Sequence, residues 1–110
     1  MTLPNKDRFA AIDIGTNSFH LIIVEVSEGG KLKLLNRERE FLRLGSELGE
    51  DLSFISETEI AKAISVLKNF SKLVNYHKAK LRAVSTSAVR EAKNKNEFIQ
   101  TAFEQTGIKV

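Results

Sequence analysis

The strongest structural signal in the chain is the segment Phe9-Ala-Ala-Ile-Asp13-Ile-Gly15-Thr-Asn-Ser18-Phe-His-Leu-Ile-Ile-Val24. Its two apolar runs, at residues 9–14 and 19–26, are short, and the second is rich in β-branched residues, which predicts two strands. A polar turn that begins at Gly15 separates the runs, and glycine lets a backbone reverse direction tightly. The segment therefore predicts an antiparallel pair of strands with a polar turn between them.

A third strand and a loop follow this pair. Gly29-Gly30 is a two-residue hairpin signal, so residues 31–41 are predicted as the third strand of an antiparallel meander. Two further glycines indicate a loop at residues 44–53.

A capping box begins the next element, which is a helix. In Ser56-x-x-Glu59 the serine hydroxyl accepts a hydrogen bond from the Glu59 amide, and the Glu59 carboxylate accepts one from the Ser56 amide. Ile55 and Ile60 have the spacing of a hydrophobic staple across this cap. The helix is predicted to end near residue 76. Its apolar positions follow helical spacing: Ile60, Ala63, Ile64, Leu67, Phe70 and Val74.

The last third of the chain alternates strand and helix. Residues 81–86 predict a fourth strand, which lies parallel to an earlier one because a helical crossover precedes it. Residues 87–92 predict a short helix, and Asn94-x-x-Glu97 predicts the cap of a further helix that ends at Gly107. Residues 108–110 then have a β-like pattern. The predicted apolar face of the last helix is Phe98, Ala102 and Phe103.

The predicted order is β-β-β-α-β-α-β, with the last strand only begun, and it indicates the α/β class. A mixed sheet in which a three-stranded meander precedes parallel strands with crossover helices is the ribonuclease-H-like arrangement.

Composition excludes several classes of protein. The chain has 110 residues, of which 42% are hydrophobic and 28% charged, as in a globular domain rather than a disordered segment. It has no cysteine, which excludes disulfides, thiol catalysis and cysteine-based metal sites. No run approaches the ~18 apolar residues of a transmembrane helix, and residues 1–8 lack the apolar stretch of a secretory signal. A cytoplasmic protein with no membrane partner is therefore expected.

Positive charge is concentrated between residues 62 and 95, where nine lysines or arginines accompany a single acid, Glu91. Such a stretch is either a solvated helix face or a surface that attracts a polyanion such as a nucleotide, polyphosphate or RNA. Only two aromatic residues, Phe70 and Tyr76, fall within it, which argues against stacking on bases. Phosphate attraction is thus favoured over nucleic-acid binding.

The turn between the first two strands is the first candidate site. Gly15 lets the backbone approach an anion, and successive amides in such a turn can form an anion-binding nest. The hydroxyls of Thr16 and Ser18 and the amide of Asn17 add neutral donors. Asp13 would repel a phosphate, so it is predicted to bind, directly or through water, a Mg²⁺ ion that bridges to the phosphate. The alternative is a hairpin in which Asp13 only hydrogen-bonds the turn.

Arg90 is the second candidate, one turn into the predicted short helix. A helix N-terminus offers free amides and a positive dipole end, and the planar guanidinium suits phosphate oxygens. The alternative is a surface arginine paired with a nearby glutamate. His20 is predicted to be a hydrogen-bonded structural residue, and His77 to lie at a helix end. Ser18 as a nucleophile would need a base that the sequence does not identify.

These motifs resemble one known family. Residues 9–24, together with Ser85-Thr-Ser-Ala-Val-Arg90-Glu-Ala92, are similar to the exopolyphosphatase/guanosine pentaphosphate phosphatase (Ppx/GppA) family. The Asn-Ser-Phe-His that follows Asp-x-Gly-Thr makes the first motif more specific than the short pattern shared by sugar kinases and actin-like ATPases. Leu44-Gly-x-x-Leu-Gly49 also fits, and the resemblance covers essentially all 110 residues.

The resemblance implies the fold of the actin-like ATPase (ASKHA) superfamily, in which two ribonuclease-H-like domains flank a cleft. Residues 1–110 would be the N-terminal part of the first domain, truncated inside the strand that begins at Ile108. It also implies hydrolysis of the terminal phosphate of polyphosphate or guanosine pentaphosphate with Mg²⁺ or a similar divalent cation, in a homodimeric full-length parent. By position, Asp13 holds the metal. The residues that would bind phosphate are Gly15, Thr16, Asn17, Ser18 and Arg90.

Two family motifs are missing from the sequence. The family's catalytic glutamate, in a Ser-Gly-x-Glu-Glu-Ala-Arg type motif, would lie just beyond Val110, and a second glycine-rich phosphate loop would lie later still. No catalytic residue is therefore assigned within this chain, and the 110-residue chain is expected to be inactive alone. The alternative functions are an ATP-dependent kinase or ATPase of the same superfamily, or a non-catalytic module that binds phosphate or nucleotide.

Overall fold

A computed structural model describes residues 7–42, 44 and 54–110. The elements within these residues are β1 (Asp7–Ile14), β2 (Ser18–Val26), β3 (Leu32–Phe41), α1 (Glu57–His77), β4 (Lys80–Ser85), α2 (Ser87–Arg90) and α3 (Lys95–Thr106). The predicted order of strands and helices is confirmed as far as α3. The predicted loop at residues 44–53 lies outside the described residues except for Leu44, which is buried.

The four strands form one mixed sheet in the order β3-β2-β1-β4. β2 pairs antiparallel with β1 and with β3, while β1 pairs parallel with β4. A parallel neighbour requires a crossover connection, and α1 provides it between β3 and β4. The predicted meander and the predicted parallel fourth strand are both present. The β2–β3 register shifts between Ile23 and Val24, where an irregularity offsets the pairing.

One face of the sheet packs with the helices to form the core. Side chains alternate between the two faces of a strand, so every second residue of β1 and β2 reaches this core. These residues are Ala10, Ile12 and Ile14 on β1, and Phe19, Leu21 and Ile23 on β2. All six apolar positions predicted for α1 are buried, and α3 packs beside α1. The apolar periodicity of the sequence therefore indicates this face correctly.

The opposite face of the sheet is covered by no element of the described residues. The strand register aligns Phe9 with Val24 and Val24 with Leu34, so apolar side chains form a row across three strands. Phe9 is 40% exposed and Leu34 50% exposed. The ammonium of Lys80 lies 5.8 Å from the centroid of the Phe9 ring at one side of this row.

The capping box at the start of α1 is formed as the sequence predicts. The Glu59 amide donates to Ser56 Oγ at 3.1 Å, and the Ser56 amide donates to Glu59 Oε1 at 3.0 Å. Ile55 and Ile60, the predicted staple, are both buried. At the other end, Lys78 adopts a left-handed conformation with φ of 54°, and its amide donates to the carbonyls of the last turn.

Asn94 stands at the N-cap of α3 but its side chain makes no capping hydrogen bond. Instead Asn94 Nδ2 donates to the Ile55 carbonyl at 2.8 Å, and Asn94 Oδ1 accepts from the Ile55 amide at 3.0 Å. A carboxamide carries both a donor and an acceptor, so it can satisfy both backbone groups of one residue. The predicted local cap is thus replaced by a clamp that joins the start of α3 to the start of α1.

The Arg8 side chain links β1 both to β2 and to the end of α1. Arg8 Nε lies 3.1 Å from Glu25 Oε1, and the Glu25 side chain is 10% exposed on the helix-covered face. Arg8 Nη1 also donates to the carbonyl of His77 at 3.1 Å. A buried carboxylate needs such a charged partner, and the hydrogen bond to His77 holds the C-terminal end of α1 against the amino-terminal end of β1.

Three sequence predictions are wrong. Phe103 is 55% exposed, because helical geometry places it about 140° around α3 from the buried Phe98. Residues 108–110 are in no strand; Ile108 is instead buried in the core. The glycine pair does not make a two-residue hairpin. Gly29 and Gly30 have positive φ within a longer connection that the Ser27 amide closes by donating to the Lys31 carbonyl.

Within the described ranges, the helices are too short or too polar for any of them to traverse a bilayer.

Candidate functional site

The carboxyl ends of β1 and β4 lie side by side and set the position of the candidate site. The two strands are parallel, and Ile14 is in register with Ser85. Immediately after β4, the Thr86 amide donates to the Ile14 carbonyl at 3.0 Å, and Thr86 Oγ1 donates to the same carbonyl at 3.3 Å. Ligands of open α/β sheets bind at the carboxyl ends of the strands. The turn after β1 and the helix after β4 therefore begin at the edge where a ligand is expected.

The turn after β1 is tight, and Gly15 is required there for steric reasons. The Gly15 amide donates to the Ser18 carbonyl at 3.0 Å. A Cβ atom added at Gly15 would lie 2.7 Å from that carbonyl oxygen. Gly15 does not have a positive φ, so a special backbone conformation is not the reason for glycine. The absence of a side chain lets the chain close this turn.

Two successive backbone amides in the turn are available to a ligand. The carbonyls of Thr16 and Asn17 accept hydrogen bonds from the amides of Leu44 and Leu42, which fixes the turn to the segment after β3. Among the described residues, no protein acceptor takes the amide protons of Thr16 and Asn17. Successive amides of this kind can form an anion-binding concavity.

Asp13 occupies the exposed face of β1, one residue before the strand ends. Within the described residues no cation lies at ion-pair distance from it, and no group of three or more potential metal ligands occurs there. Mg²⁺ commonly takes one or two carboxylates and completes its shell with water and substrate phosphate. A single exposed carboxylate beside a turn with two such amides fits that kind of shared site and does not fit an all-protein cage.

Arg90 is the last residue of α2, and it is exposed. Its amide donates to the Thr86 carbonyl at 3.2 Å, and Thr86 is itself bonded to Ile14. These two links join Arg90 to the end of β1, so the structure brings both predicted phosphate-binding segments to one edge of the sheet. The alternative pairing with a glutamate is not formed among the described residues.

Two further polar residues lie on the face of Asp13: His20, which the sequence predicts to be a hydrogen-bonded structural residue, and Arg39, which no sequence motif indicates. His20 is in register with Asp13 on one side and with Arg39 on the other. The Ser18 Oγ and His20 Nε2 atoms are 2.9 Å apart, and the Arg39 guanidinium lies 4.5 Å from the centroid of the Phe41 ring. The two-residue spacing of Ser18 and His20 on a strand was the one signal that placed them on a common face.

Comparison with known proteins gives a consistent result. A family model described as the Ppx/GppA phosphatase family matches residues 22–110. Exopolyphosphatase 2 of Mycobacterium tuberculosis is 36% identical over 104 residues, which cover 91% of this chain and 32% of that protein. A bifunctional 3-dehydroquinate synthase/phosphatase of Fusobacterium nucleatum is 32% identical over 108 residues, covering 92% of this chain and 16% of the relative.

Solved structures agree with the sequence matches. The Ppx/GppA enzyme of Aquifex aeolicus superposes with a TM-score of 0.87 at 34% identity, over 96% of this chain and 35% of that one. An exopolyphosphatase of Cytophaga hutchinsonii gives a TM-score of 0.87 at 31% identity, over 94% of this chain and 33% of that one. The chain thus spans about a third or less of each relative's length. The structural matches are consistent with an α/β actin-like fold. Because the family model matches most of its residues, the chain belongs to the Ppx/GppA phosphatase family.

Proposed function

We propose that this chain forms one wall of the active site of a phosphohydrolase that removes the terminal phosphate of inorganic polyphosphate, of guanosine pentaphosphate, or of both. The observation that carries the proposal is the junction at the sheet edge, where Thr86 is hydrogen-bonded to Ile14. It joins the segment bearing Arg90 to the turn that begins at Gly15. The exopolyphosphatase relatives support polyphosphate as the substrate class.

Each residue of the junction has a distinct part in the proposed chemistry. The amides of Thr16 and Asn17 and the hydroxyl of Ser18 would donate to a terminal phosphate, and the Arg90 guanidinium would offset the charge on its oxygens. Asp13 would hold Mg²⁺, which when bound neutralises phosphate charge and orients the substrate. Phosphoryl transfer to water proceeds in line and relies chiefly on such positioning and charge stabilisation. The cytoplasmic location and the homodimer stay predictions.

Substitutions of Asp13 and of Arg90 should have opposite effects on the affinity of the chain for tripolyphosphate when Mg²⁺ is absent, as measured by calorimetric titration. Arg90→Ala is expected to weaken binding about tenfold with or without Mg²⁺, because it removes a charged donor. Asp13→Asn is expected to strengthen binding in the absence of Mg²⁺, since a repelling carboxylate is gone, and to abolish the enhancement that Mg²⁺ gives the wild type.

Lys72→Ala is the control for the loss of one positive charge. Lys72 is exposed near the end of α1, which Arg8 holds against the start of β1, whereas the candidate site lies at the other end of β1. It should bind tripolyphosphate as the wild type does. Wild-type binding that is not saturable, or an Arg90→Ala chain that binds like Lys72→Ala, would contradict the proposed site.

The 110-residue chain is expected to bind polyphosphate without hydrolysing it. The glutamate that the family resemblance assigns to water activation is not among these residues. Binding the phosphate in position does not supply a general base that deprotonates the attacking water. Release of inorganic phosphate should therefore be below about one thousandth of the rate of a full-length exopolyphosphatase relative assayed beside it. A rate close to that of the relative would show that the base lies within residues 1–110.

A further inference from the structure

The hydrogen bond between Ser18 and His20 is the feature of the site that the proposed function does not use. Ser18 Oγ and His20 Nε2 are 2.9 Å apart, and the two residues sit two positions apart on β2. They share the face that carries Asp13 on β1 and Arg39 on β3, which are the cross-strand neighbours of His20. The contact is exposed, so solvent could satisfy both groups and the bond adds little to folding.

The hydroxyl of Ser18 has one proton, and the direction of its bond to His20 decides where that proton goes. If His20 Nε2 accepts, the serine proton points at the ring, and Ser18 presents only lone pairs to an incoming phosphate. If Nε2 carries a proton and donates it in the hydrogen bond, Ser18 Oγ accepts from the ring, and the Ser18 hydroxyl is free to donate a hydrogen bond to the phosphate. Phosphate oxygens are acceptors, so only the second arrangement is complementary to the proposed ligand.

We infer that His20 is a positioning residue of the phosphate-binding turn. It donates from Nε2 to Ser18 Oγ and thereby directs the Ser18 hydroxyl proton at a phosphate oxygen of the polyanion. This inference rests on the proposed phosphate site and assigns to it a residue that acts through Ser18 without touching the ligand. His20 stands beside the predicted metal-binding carboxylate of Asp13, so the test is made without a divalent cation.

A double-mutant cycle on the 110-residue chain, titrated with tripolyphosphate in the presence of a chelator, separates this role from a general loss of structure. Ser18→Ala and His20→Ala are each expected to weaken binding about fivefold. The double variant should bind no more weakly than Ser18→Ala alone, because His20 has no other route to the ligand. His20→Gln should bind within about twofold of the wild type, since a carboxamide N–H can replace the ring donor.

The ring nitrogens give a second readout. The ¹⁵N shifts of His20 in the chain saturated with tripolyphosphate should show Nε2 protonated. His77→Gln, at the end of α1, is the matched control and should leave affinity unchanged. Any of three results would overturn the role of His20 while leaving the phosphate site intact. They are weaker binding by Ser18→Ala but not by His20→Ala, losses that add in the double variant, and an unprotonated Nε2 in the bound state. Wild-type chain that fails to bind would instead overturn the phosphate site itself.

Discussion

Replacing Phe98 with alanine is expected to lower the free energy of unfolding by about 3–5 kcal/mol. Phe98 is fully buried in α3 and belongs to the same core as the sheet residues Ile12 and Phe19. The substitution deletes a buried aromatic ring together with its packing contacts. It leaves a cavity that the surrounding helices can fill only in part. Domains of this size have about 5–15 kcal/mol of stability in total. The variant should therefore be partly unfolded well below the wild-type melting temperature.

Phe103→Ala is the matched control, because it removes the same ring from the same helix. Phe103 is 55% exposed, and surface substitutions of this kind change stability by about 0.5 kcal/mol or less. Urea denaturation followed by circular dichroism gives both values. Equal losses for the two variants would mean that α3 does not pack with the face shown here.

Gly15→Ala is expected to abolish most of the affinity of the chain for tripolyphosphate, by tenfold or more, and to lower its stability by about 1–3 kcal/mol. The added Cβ would lie 2.7 Å from the Ser18 carbonyl oxygen. That oxygen belongs to the backbone of β2, so no side-chain rotation can relieve the contact. The turn must open, which breaks the hydrogen bond from the Gly15 amide and moves the amides of Thr16 and Asn17.

Gly107→Ala separates the loss of binding from the loss of stability. Gly107 ends α3 with φ of 77°, and nothing lies within 4 Å of an added Cβ. Alanine there costs about 1–2 kcal/mol of backbone strain, at a helix end that carries no residue of the candidate site. Calorimetric titration should show unchanged affinity for Gly107→Ala. If Gly15→Ala also kept wild-type affinity, the turn would not be the phosphate-binding element.

Local signals in the sequence predict most of the secondary structure. The capping box at Ser56 and Glu59 is formed by neighbouring residues, so its spacing is sufficient to locate the start of α1. Asn94 shows where local reasoning ends. Its position at the N-cap of α3 is predicted correctly, but its side chain binds Ile55, a residue 39 positions away. A competing long-range partner of this kind leaves no trace in the local pattern.

The residues of the candidate site also fall into those that local sequence signals indicate and those that depend on strand pairing. Asp13, the turn from Gly15 to Ser18, and Arg90 are predicted as site residues from the sequence, because they lie at or soon after the ends of two recognisable strands. Arg39 could not be placed beside them. The neighbours of a strand residue depend on the register, and the β2–β3 register contains a shift between Ile23 and Val24. A shift of one residue moves a side chain to the other face of the sheet.

The residue pattern of this chain was enough to specify most of its strands and helices, the buried side of α1 and the position of the polar turn. Those features depend on alternation, helical spacing and small residues, all of which act over a few positions. Folding in three dimensions added the contact of Thr86 with Ile14 and the bond between Ser18 and His20 on the exposed face. The first of these comes from pairing across 72 positions of sequence. The second joins residues two positions apart on β2, on a face that the packed sheet leaves exposed.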